Sequence, residues 1–259
     1  RYGGLGIDPI GVNVRKGLQS DYSQKFSDLP DVIDRTGFSK AINIDSSFYP
    51  DLGGSTSAEL AYSLAVALHY LRELEKTEIE IETIIENMYF TYSSNSDQFM
   101  TIAKFRAARR LWTQITKECG ATSENQKQTQ HAVASSNAMD KKDPWFNSFK
   151  ATVAAFSAGI GGAEAITVIP FSLSDEISGG ESERRMARNT QLLLAEESHI
   201  GRVIDPAGGS WFVEQLTEHL AQKSWETFQK IESSGGIVEV LNSEKKIQDF
   251  LKIRGSSNE

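Results

Sequence analysis

Five short apolar runs alternate with five longer amphipathic segments along the chain. Each run is four to seven residues long and precedes a polar turn. The runs predict strands over Ala41 to Asp45, Met88 to Tyr92, Gln130 to Ala134, Ala165 to Phe171 and Gly201 to Ile204. The amphipathic segments predict helices over about 57–75, 97–117, 144–158, 181–197 and 211–232. This alternation implies a parallel sheet whose strands are joined by right-handed helical crossovers.

Two parallel architectures fit this order, a closed barrel and an open doubly wound sheet. No Gly-x-Gly-x-x-Gly sequence follows a predicted strand, so the dinucleotide-binding form of the open sheet has little support. A TIM-type (β/α) barrel needs eight βα units, whereas the pattern supplies five. We therefore expect an α/β fold that covers about the C-terminal five βα units of such a barrel. Its open sheet edges predict further strands, or another chain, that cover them.

The glycine pair Gly235-Gly236 suggests where the barrel part stops. We expect the C-terminal part of the barrel over residues 1–236 and a helical tail over 237–259. A charged helix is predicted from Glu244 to Lys252, and the last residues, Gly255 to Glu259, have a composition typical of a disordered end.

Composition and charge narrow the functional classes. Hydrophobic residues make up 39% of the chain and charged residues 24%, which is typical of a globular protein. The net charge of -8 argues against a nucleic-acid surface, because such a surface needs a basic face. No apolar run approaches the roughly 20 residues of a membrane span, and no apolar leader opens the sequence. With Cys119 as the single cysteine, these features favour a cytoplasmic protein.

Several separate motifs, in one order, carry a resemblance to a known family. They are Tyr49-Pro-Asp-Leu-Gly-Gly-Ser55, the segment Phe99 to Trp112, Asp143-Pro-Trp145, Gly161 to Val168, Ala187-Arg-Asn-Thr-Gln191 and Asp205-Pro-Ala-Gly-Gly-Ser210. Together with Gly6 to Gly11, they make the chain resemble the acyl-CoA mutases that use adenosylcobalamin, above all methylmalonyl-CoA mutase. The similarity covers roughly Leu5 to Leu241.

This resemblance implies a TIM-type barrel that threads an acyl-CoA through its axis, with adenosylcobalamin as the cofactor of the complex. It also implies a separate cobalamin-binding domain, in which the histidine of an Asp-x-His-x-x-Gly motif binds cobalt. None of His69, His131, His199 and His219 stands in that pattern. We therefore expect no cobalt ligand and no metal site in this chain, and a cofactor-bearing large subunit as its partner in a heterodimer.

Departures from the family's catalytic pattern favour its small, or beta, subunits. Catalytic chains carry His-Cys-Gln-Thr-Ser-Gly where this chain has His131-Ala-Val-Ala-Ser-Ser136, and a polar Ser-Leu-His-Thr-Asn where it has Ile166 to Pro170. Pro50 also stands in place of a family histidine. A buried polar group without a hydrogen-bond partner costs about 1–3 kcal/mol. The apolar lining therefore predicts weakened or absent substrate binding.

His131 is the sharpest catalytic candidate. The resemblance implies that this position donates a hydrogen bond to the thioester carbonyl, where charge shifts during the reaction. The alternative is a histidine that packs, or is held by hydrogen bonds, beside a strand. Asn189 and Gln191 are candidates for substrate binding, with a structural clamp onto the 205–210 loop as the alternative. Asp205 is a third candidate because barrel strands end at catalytic sites, although Asp-Pro also initiates turns.

Basic residues on the helix over 97–117 pose a further question. Arg106, Arg109 and Arg110 suit contacts with CoA phosphates. In so acidic a chain, ion pairs with acids elsewhere are the favoured alternative. Lys104 would be a Schiff-base residue in an aldolase-like barrel, but its place on a helix instead of a strand end favours a structural role.

Two functions remain in view. The first is the barrel portion of a methylmalonyl-CoA mutase-like small subunit, which stabilises its partner and is inactive alone. The complex would be an isomerase that interconverts methylmalonyl-CoA and succinyl-CoA. The alternative is a catalytically competent acyl-CoA-binding chain, in which His131 polarises the thioester and another domain supplies cobalamin. An unrelated barrel enzyme acting at the 205–210 loop is disfavoured by the ordered motifs.

Overall fold

The computed structural model describes residues 3–15, 29–36, 40–77, 79–135, 139, 143–171 and 180–243. Their five strands form one parallel sheet in the order β1-β2-β3-β4-β5, which curls into a half-barrel. The strands are β1 (Gly4–Ile7), β2 (Lys40–Asp45), β3 (Met88–Ser94), β4 (Gln130–Ala134) and β5 (Ala165–Thr167). The predicted α/β class is confirmed, and the half-barrel is consistent with part of a TIM-type barrel.

Helices pack behind this sheet. They are α1 (Pro9–Arg15), α2 (Leu29–Thr36), α3 (Thr56–Glu75), α4 (Ile81–Glu86), α5 (Gln98–Glu118), α6 (Pro144–Ile160), α7 (Glu181–Leu192), α8 (Trp211–Ser233) and α9 (Ile237–Leu241). The side chains of Ser55 and Asp97 begin α3 and α5 by accepting a hydrogen bond from a first-turn N–H. A short 3-10 helix, Tyr49–Leu52, precedes α3, and a π-helical turn, Leu193–Glu197, follows α7.

Alternation along the strands places apolar side chains against the helices. Ile42 and Ile44 of β2, with Phe90 and Tyr92 of β3, are at most 1% exposed and share one core with α3 and α5. The Trp112 ring of α5 meets Phe90 edge-on, with 4.8 Å between ring centroids. The strand residues between these core positions point to the opposite, concave face of the half-barrel.

The helix α8 forms a second layer outside α3 and α5. It runs parallel to α5, because Phe212 in its first turn packs against Phe99 at 5.3 Å between centroids, and Glu218 pairs with Arg110 farther along. Near its end, Glu232 accepts a hydrogen bond of 2.6 Å from Arg72 of α3. The inner face of α8 therefore completes the core that α3 and α5 begin.

The strand predicted over Gly201 to Ile204 is wrong. This segment forms bends and turns, and Ile204 is 97% exposed. A four-residue apolar run has no periodicity that separates a strand from an irregular segment. The fifth strand is instead β1, at the start of the chain, where the sequence pattern assigned none.

The strand predicted over Ala165 to Phe171 is shorter than expected. β5 ends at Thr167, before Pro170, which has no N–H to donate to a sheet ladder. Both Ala165 and Thr167 are exposed, so β5 is not buried on both faces as its unbroken apolar run would suggest. Among the described strands, none pairs with the outer edge of β5 or of β1.

The end of the chain is described only in part. The helix predicted over Glu244 to Lys252 and the disordered end over Gly255 to Glu259 lie outside the described residues. Just before them, Ile237 and Val240 of α9 join the main core, while the division at residue 236 stays a prediction. None of the described helices combines the length and apolarity that crossing a membrane requires.

Candidate functional site

Four hydrogen-bonded side chains, which we call the polar row, cross the concave face of the sheet. The Thr91 hydroxyl of β3 donates a hydrogen bond of 2.8 Å to Oδ1 of Asn43 on β2. His131 of β4 is the register partner of Thr91, and its Nδ1 atom lies 3.3 Å from that hydroxyl. The Nε2 atom of His131 lies 2.8 Å from the hydroxyl of Thr167 on β5. The polar row therefore ties four neighbouring strands together.

His131 is half-buried, and this governs its charge. Burial lowers the pKa of its imidazole, against a smaller opposing effect of the Asp45 carboxylate. The ring is therefore neutral at pH 7. With both ring nitrogens in hydrogen bonds, the geometry suits a histidine held beside a strand. Its catalytic role stays a prediction.

A cleft of about 330 Å³ opens at the carboxyl ends of β2 and β4. Its polar lining comes from Arg15, Ser47, Asp51 and Ser135. The Arg15 guanidinium pairs with the Asp45 carboxylate and lies 5.0 Å from the Phe48 ring centroid. The charge of this cation is thus already balanced within the chain.

A buried carboxylate, Asp8, follows β1. Its Oδ1 atom accepts hydrogen bonds from the Tyr70 hydroxyl at 2.6 Å and the Gly11 N–H at 2.9 Å, and its Oδ2 atom accepts one from the Asp45 N–H at 3.1 Å. Burial raises the pKa of Asp8 to about 6, although these hydrogen bonds lower it in part. The sequence interpretation gave Asp8 no role, because the strand before it was not predicted.

Asp205 lies apart from the polar row, beside α5 and α8. The Arg106 guanidinium binds its carboxylate with two hydrogen bonds of 3.0 Å and binds Glu214 of α8 at 2.7 Å. Asp205 follows an irregular segment and not a strand, so it does not occupy the strand-end position that made it a site candidate. Its backbone has φ of 47°, a turn conformation that aspartate tolerates.

Asn189 and Gln191 lie on α7. The Asn189 side chain is exposed, whereas Gln191 lines a cleft of about 470 Å³ with Thr167 and Arg188. Thr167 also bonds to His131, so this cleft adjoins the polar row. Within the described residues, neither Asn189 nor Gln191 hydrogen-bonds to the 205–210 loop; Arg106 provides that clamp. The structure thus brings Gln191 near His131 and leaves Asp205 in a separate place.

Comparison with known proteins decides the family. The profile of the family "Methylmalonyl-CoA mutase" matches residues 34–252. The chain belongs to the methylmalonyl-CoA mutase family. The family predicted from the sequence motifs is thus confirmed.

Named relatives in this mutase family include small subunits. The methylmalonyl-CoA mutase small subunit of Streptomyces virginiae is 42% identical over 93% of this chain and 39% of its own length. The small subunit of Propionibacterium freudenreichii subsp. shermanii is 35% identical over 93% of this chain and 38% of its own length. The 2-hydroxyisobutanoyl-CoA mutase large subunit of Aquincola tertiaricarbonis is 32% identical over 81% and 38%. The chain therefore spans about two-fifths of the length of these relatives.

A glycine in the family-like segment Tyr49 to Ser55 has a clear structural cause. A Cβ atom at Gly54 would lie only 1.8 Å from the ring of Tyr49, which is itself 2% exposed. The Tyr49 ring packs on Tyr62 of α3 with 5.5 Å between centroids. This glycine therefore lets the loop after β2 close onto the helix layer.

The basic residues of α5 are engaged within this mutase-family chain. Arg106 and Arg110 pair with carboxylates of α8, as the alternative to CoA binding expects. Arg109 donates hydrogen bonds to the Gln130 side chain and to the Gly161 carbonyl, at 2.5 Å for the latter. Burial lowers the pKa of Arg109. These contacts tie α5 to α8 and to the starts of β4 and β5.

Lys104 is buried in an ion pair. Its Nζ atom lies 2.7 Å from Oε2 of Glu59 on α3 and donates to the Ser93 hydroxyl at 2.7 Å. Ser93 in turn donates its N–H and its hydroxyl to the two oxygens of Glu59. This arrangement fits the structural role that was favoured over a Schiff base.

Sequence reasoning missed the partners of His131. Asn43 and Thr91 alternate with the core residues of β2 and β3, so their polar positions repeat every second residue. That alternation was a usable signal for a polar concave face. Within the part of the chain that the structure describes, no group of three or more His, Cys, Asp or Glu side chains is placed to hold a metal ion.

We predict that Arg106→Met loosens the loop over residues 200–210. The change removes the cation shared by Asp205 and Glu214, and the loop should exchange its amide hydrogens several-fold faster because that local clamp is lost. Hydrogen exchange followed by mass spectrometry measures this. Arg110→Met is the matched control, since Arg110 is more exposed and pairs with Glu218 alone. Equal effects of the two changes on amide exchange in this loop would contradict the role of Arg106 in holding it.

Proposed function

We propose that the chain is the barrel portion of a methylmalonyl-CoA mutase-like small subunit with a structural role. Its complex would be an adenosylcobalamin-dependent isomerase that interconverts methylmalonyl-CoA and succinyl-CoA. The main support for this proposal is a group of relatives that are named small subunits. They are 32% to 42% identical to this chain over at least 91% of its length. The proposed partner is a cofactor-bearing large subunit in a heterodimer, and the proposed compartment is the cytoplasm.

The half-barrel supports a fold assignment within this proposal. Within the described residues, no strand pairs with the outer edge of β1 or of β5, which leaves room for the three strands that a closed eight-stranded barrel needs. The chain spans about two-fifths of the length of its relatives, and we propose that it covers the C-terminal five βα units of the barrel.

Internal pairing of the polar side chains supports a structural role. The ring of His131 is bonded on both sides, Arg15 is balanced by Asp45, and Asp205 is held by Arg106. A ligand would have to displace these contacts, and each loss carries the cost of an unsatisfied polar group. The side chains therefore serve the fold first.

The proposal that this chain has no cobalt ligand rests on its sequence, because none of its four histidines stands in an Asp-x-His-x-x-Gly motif. In the structure, both ring nitrogens of His131 are in hydrogen bonds, His69 is partly buried on α3, and His199 and His219 are exposed. In this proposal adenosylcobalamin therefore belongs to the partner, and this chain takes no step in its chemistry. A substrate role of Asn189, Gln191 or Asp205 is likewise not part of the proposal.

A reconstitution experiment tests the structural role. The complete small subunit and the large subunit would be purified separately and then mixed, with adenosylcobalamin and methylmalonyl-CoA added to each and to the mixture. We expect isomerisation by the mixture, no isomerisation by the small subunit, and a one-to-one heterodimer by light scattering. Isomerisation by the small subunit alone would overturn the proposal.

The polar row favours one second candidate, a chain that binds an acyl-CoA through His131. The row lies on the concave face, where a ligand threaded through the barrel would run. Calorimetry of the small subunit with methylmalonyl-CoA tests this candidate, which expects binding heat that His131→Ala removes. His219→Ala, on the exposed face of α8, is the matched control. Absence of heat with the unchanged protein removes the candidate.

A further inference from the structure

Hydrogen-bond donation along the polar row has one direction, which is fixed at its Asn43 end. The Thr91 hydroxyl hydrogen is directed to Oδ1 of Asn43 at 2.8 Å. A hydroxyl has one hydrogen to donate, so toward His131 the same oxygen acts as an acceptor. The contact of 3.3 Å between this oxygen and Nδ1 of His131 therefore places the imidazole proton on Nδ1.

The direction of the hydrogen bond at Nε2 of His131 follows from the neutrality of the ring. A neutral imidazole carries one proton, so Nε2 of His131 holds a lone pair and accepts. Its partner at 2.8 Å is the Thr167 hydroxyl, which must then donate. The sequence of donors is thus Thr167 to His131, His131 to Thr91, and Thr91 to Asn43. In a neutral imidazole, the hydrogen bond that one ring nitrogen makes determines whether the other nitrogen carries the proton.

We propose that His131 is a positioning residue, held as the Nδ1–H tautomer, which orients both threonine hydroxyls of the polar row. The row then presents opposite groups at its two ends. Thr167 offers oxygen lone pairs, and Asn43 offers the N–H groups of its Nδ2 atom. A neutral ligand lying along the row is recognised with a donor at Thr167 and a carbonyl at Asn43.

The tautomer of His131 also determines whether its ring can donate to an acyl-CoA. In the Nδ1–H state, Nε2 of His131 has no proton to give to a thioester carbonyl. A ligand carbonyl at this nitrogen would require reversal of the whole row. The reversed state has a definite form, in which the Asn43 amide is turned over and the imidazole carries its proton on Nε2.

Nitrogen NMR of the complete small subunit, labelled with ¹⁵N-histidine, measures the tautomer without ligand or partner. The His131 signal is identified by its loss in His131→Gln. We expect a protonated Nδ1 and an unprotonated Nε2 in the unchanged protein. Asn43→Asp keeps an acceptor at this position and should keep that tautomer. Asn43→Leu frees the Thr91 hydroxyl to donate to Nδ1 and should move the proton to Nε2.

The two Asn43 variants make the test specific. Asn43 lies on β2 and His131 on β4, with β3 between them, so a change at the ring must pass through Thr91. Thr152→Val on α6 is the control, because its hydroxyl bonds to its own helix. An Nε2–H tautomer in the unchanged protein, or no change in Asn43→Leu, overturns the proposal. Neither outcome depends on whether the mutase assignment holds.

Discussion

Replacing Lys104 by methionine is expected to lower the free energy of unfolding by about 3–5 kcal/mol. Lys104 and Glu59 are 3% and 0% exposed, and their charged atoms lie 2.7 Å apart. Removal of the ammonium group leaves the Glu59 carboxylate buried without a counter-ion. The hydrogen bonds from Ser93 remain, but they do not balance its charge. The loss therefore exceeds that of a surface ion pair.

Urea unfolding of a double-mutant cycle measures this effect. Glu59→Leu combined with Lys104→Met removes both charges, and the double variant should recover much of the stability that Lys104→Met loses. Lys76→Met is the matched control, because Lys76 pairs with Glu73 at the surface and its loss should change little. A loss in Lys104→Met as small as in this control would show that the buried pair contributes no more than a surface pair.

The strands that pack against helices could be predicted from the sequence, because burial on one side gives a periodic pattern of apolar residues. Ile42 and Ile44 alternate with polar residues, and this alternation marks β2 as a strand. The segment with Val203 and Ile204 is as apolar, yet it is exposed and irregular. β1 escaped prediction because glycines occupy half of it, and Gly6 has φ of 72°. Local pattern carries no information about which neighbour covers a short segment.

Single residues of the candidate site could be predicted from the sequence, but the contacts between them could not. His131 was singled out, whereas its bonds to Thr91 and Thr167 depend on strand register. The clamp between Arg106 and Asp205 joins residues 99 positions apart. Such pairs form because the sheet and the α5–α8 packing bring them together, so no local spacing encodes them. Sequence motifs identified the family and left these contacts to the fold.

The ionisation of Asp8 alone should lower the free energy of unfolding by about 3 kcal/mol at pH 7, relative to a pH below the usual pKa of a carboxyl group. The pKa of Asp8 rises from 3.8 in the unfolded chain to about 6 in the folded protein, with burial as the main cause. The folded protein therefore binds this proton more tightly. The stabilisation is complete below 3.8, falls as the pH rises through this window, and is gone above about 6.

Unfolding by urea at a series of pH values tests this dependence against Asp8→Asn. Other carboxylates, such as Glu214 with its lowered pKa, contribute the opposite slope, but they are common to both proteins. The difference between the two curves isolates Asp8, and it should decline between about pH 4 and 6. Asp31→Asn on α2, whose carboxylate is exposed, is the control for the loss of one carboxylate, and its difference from Asp8→Asn should follow the same curve as that of the unchanged protein. Parallel curves for the unchanged protein and Asp8→Asn would contradict the prediction, because they would mean that burial does not raise the pKa of Asp8.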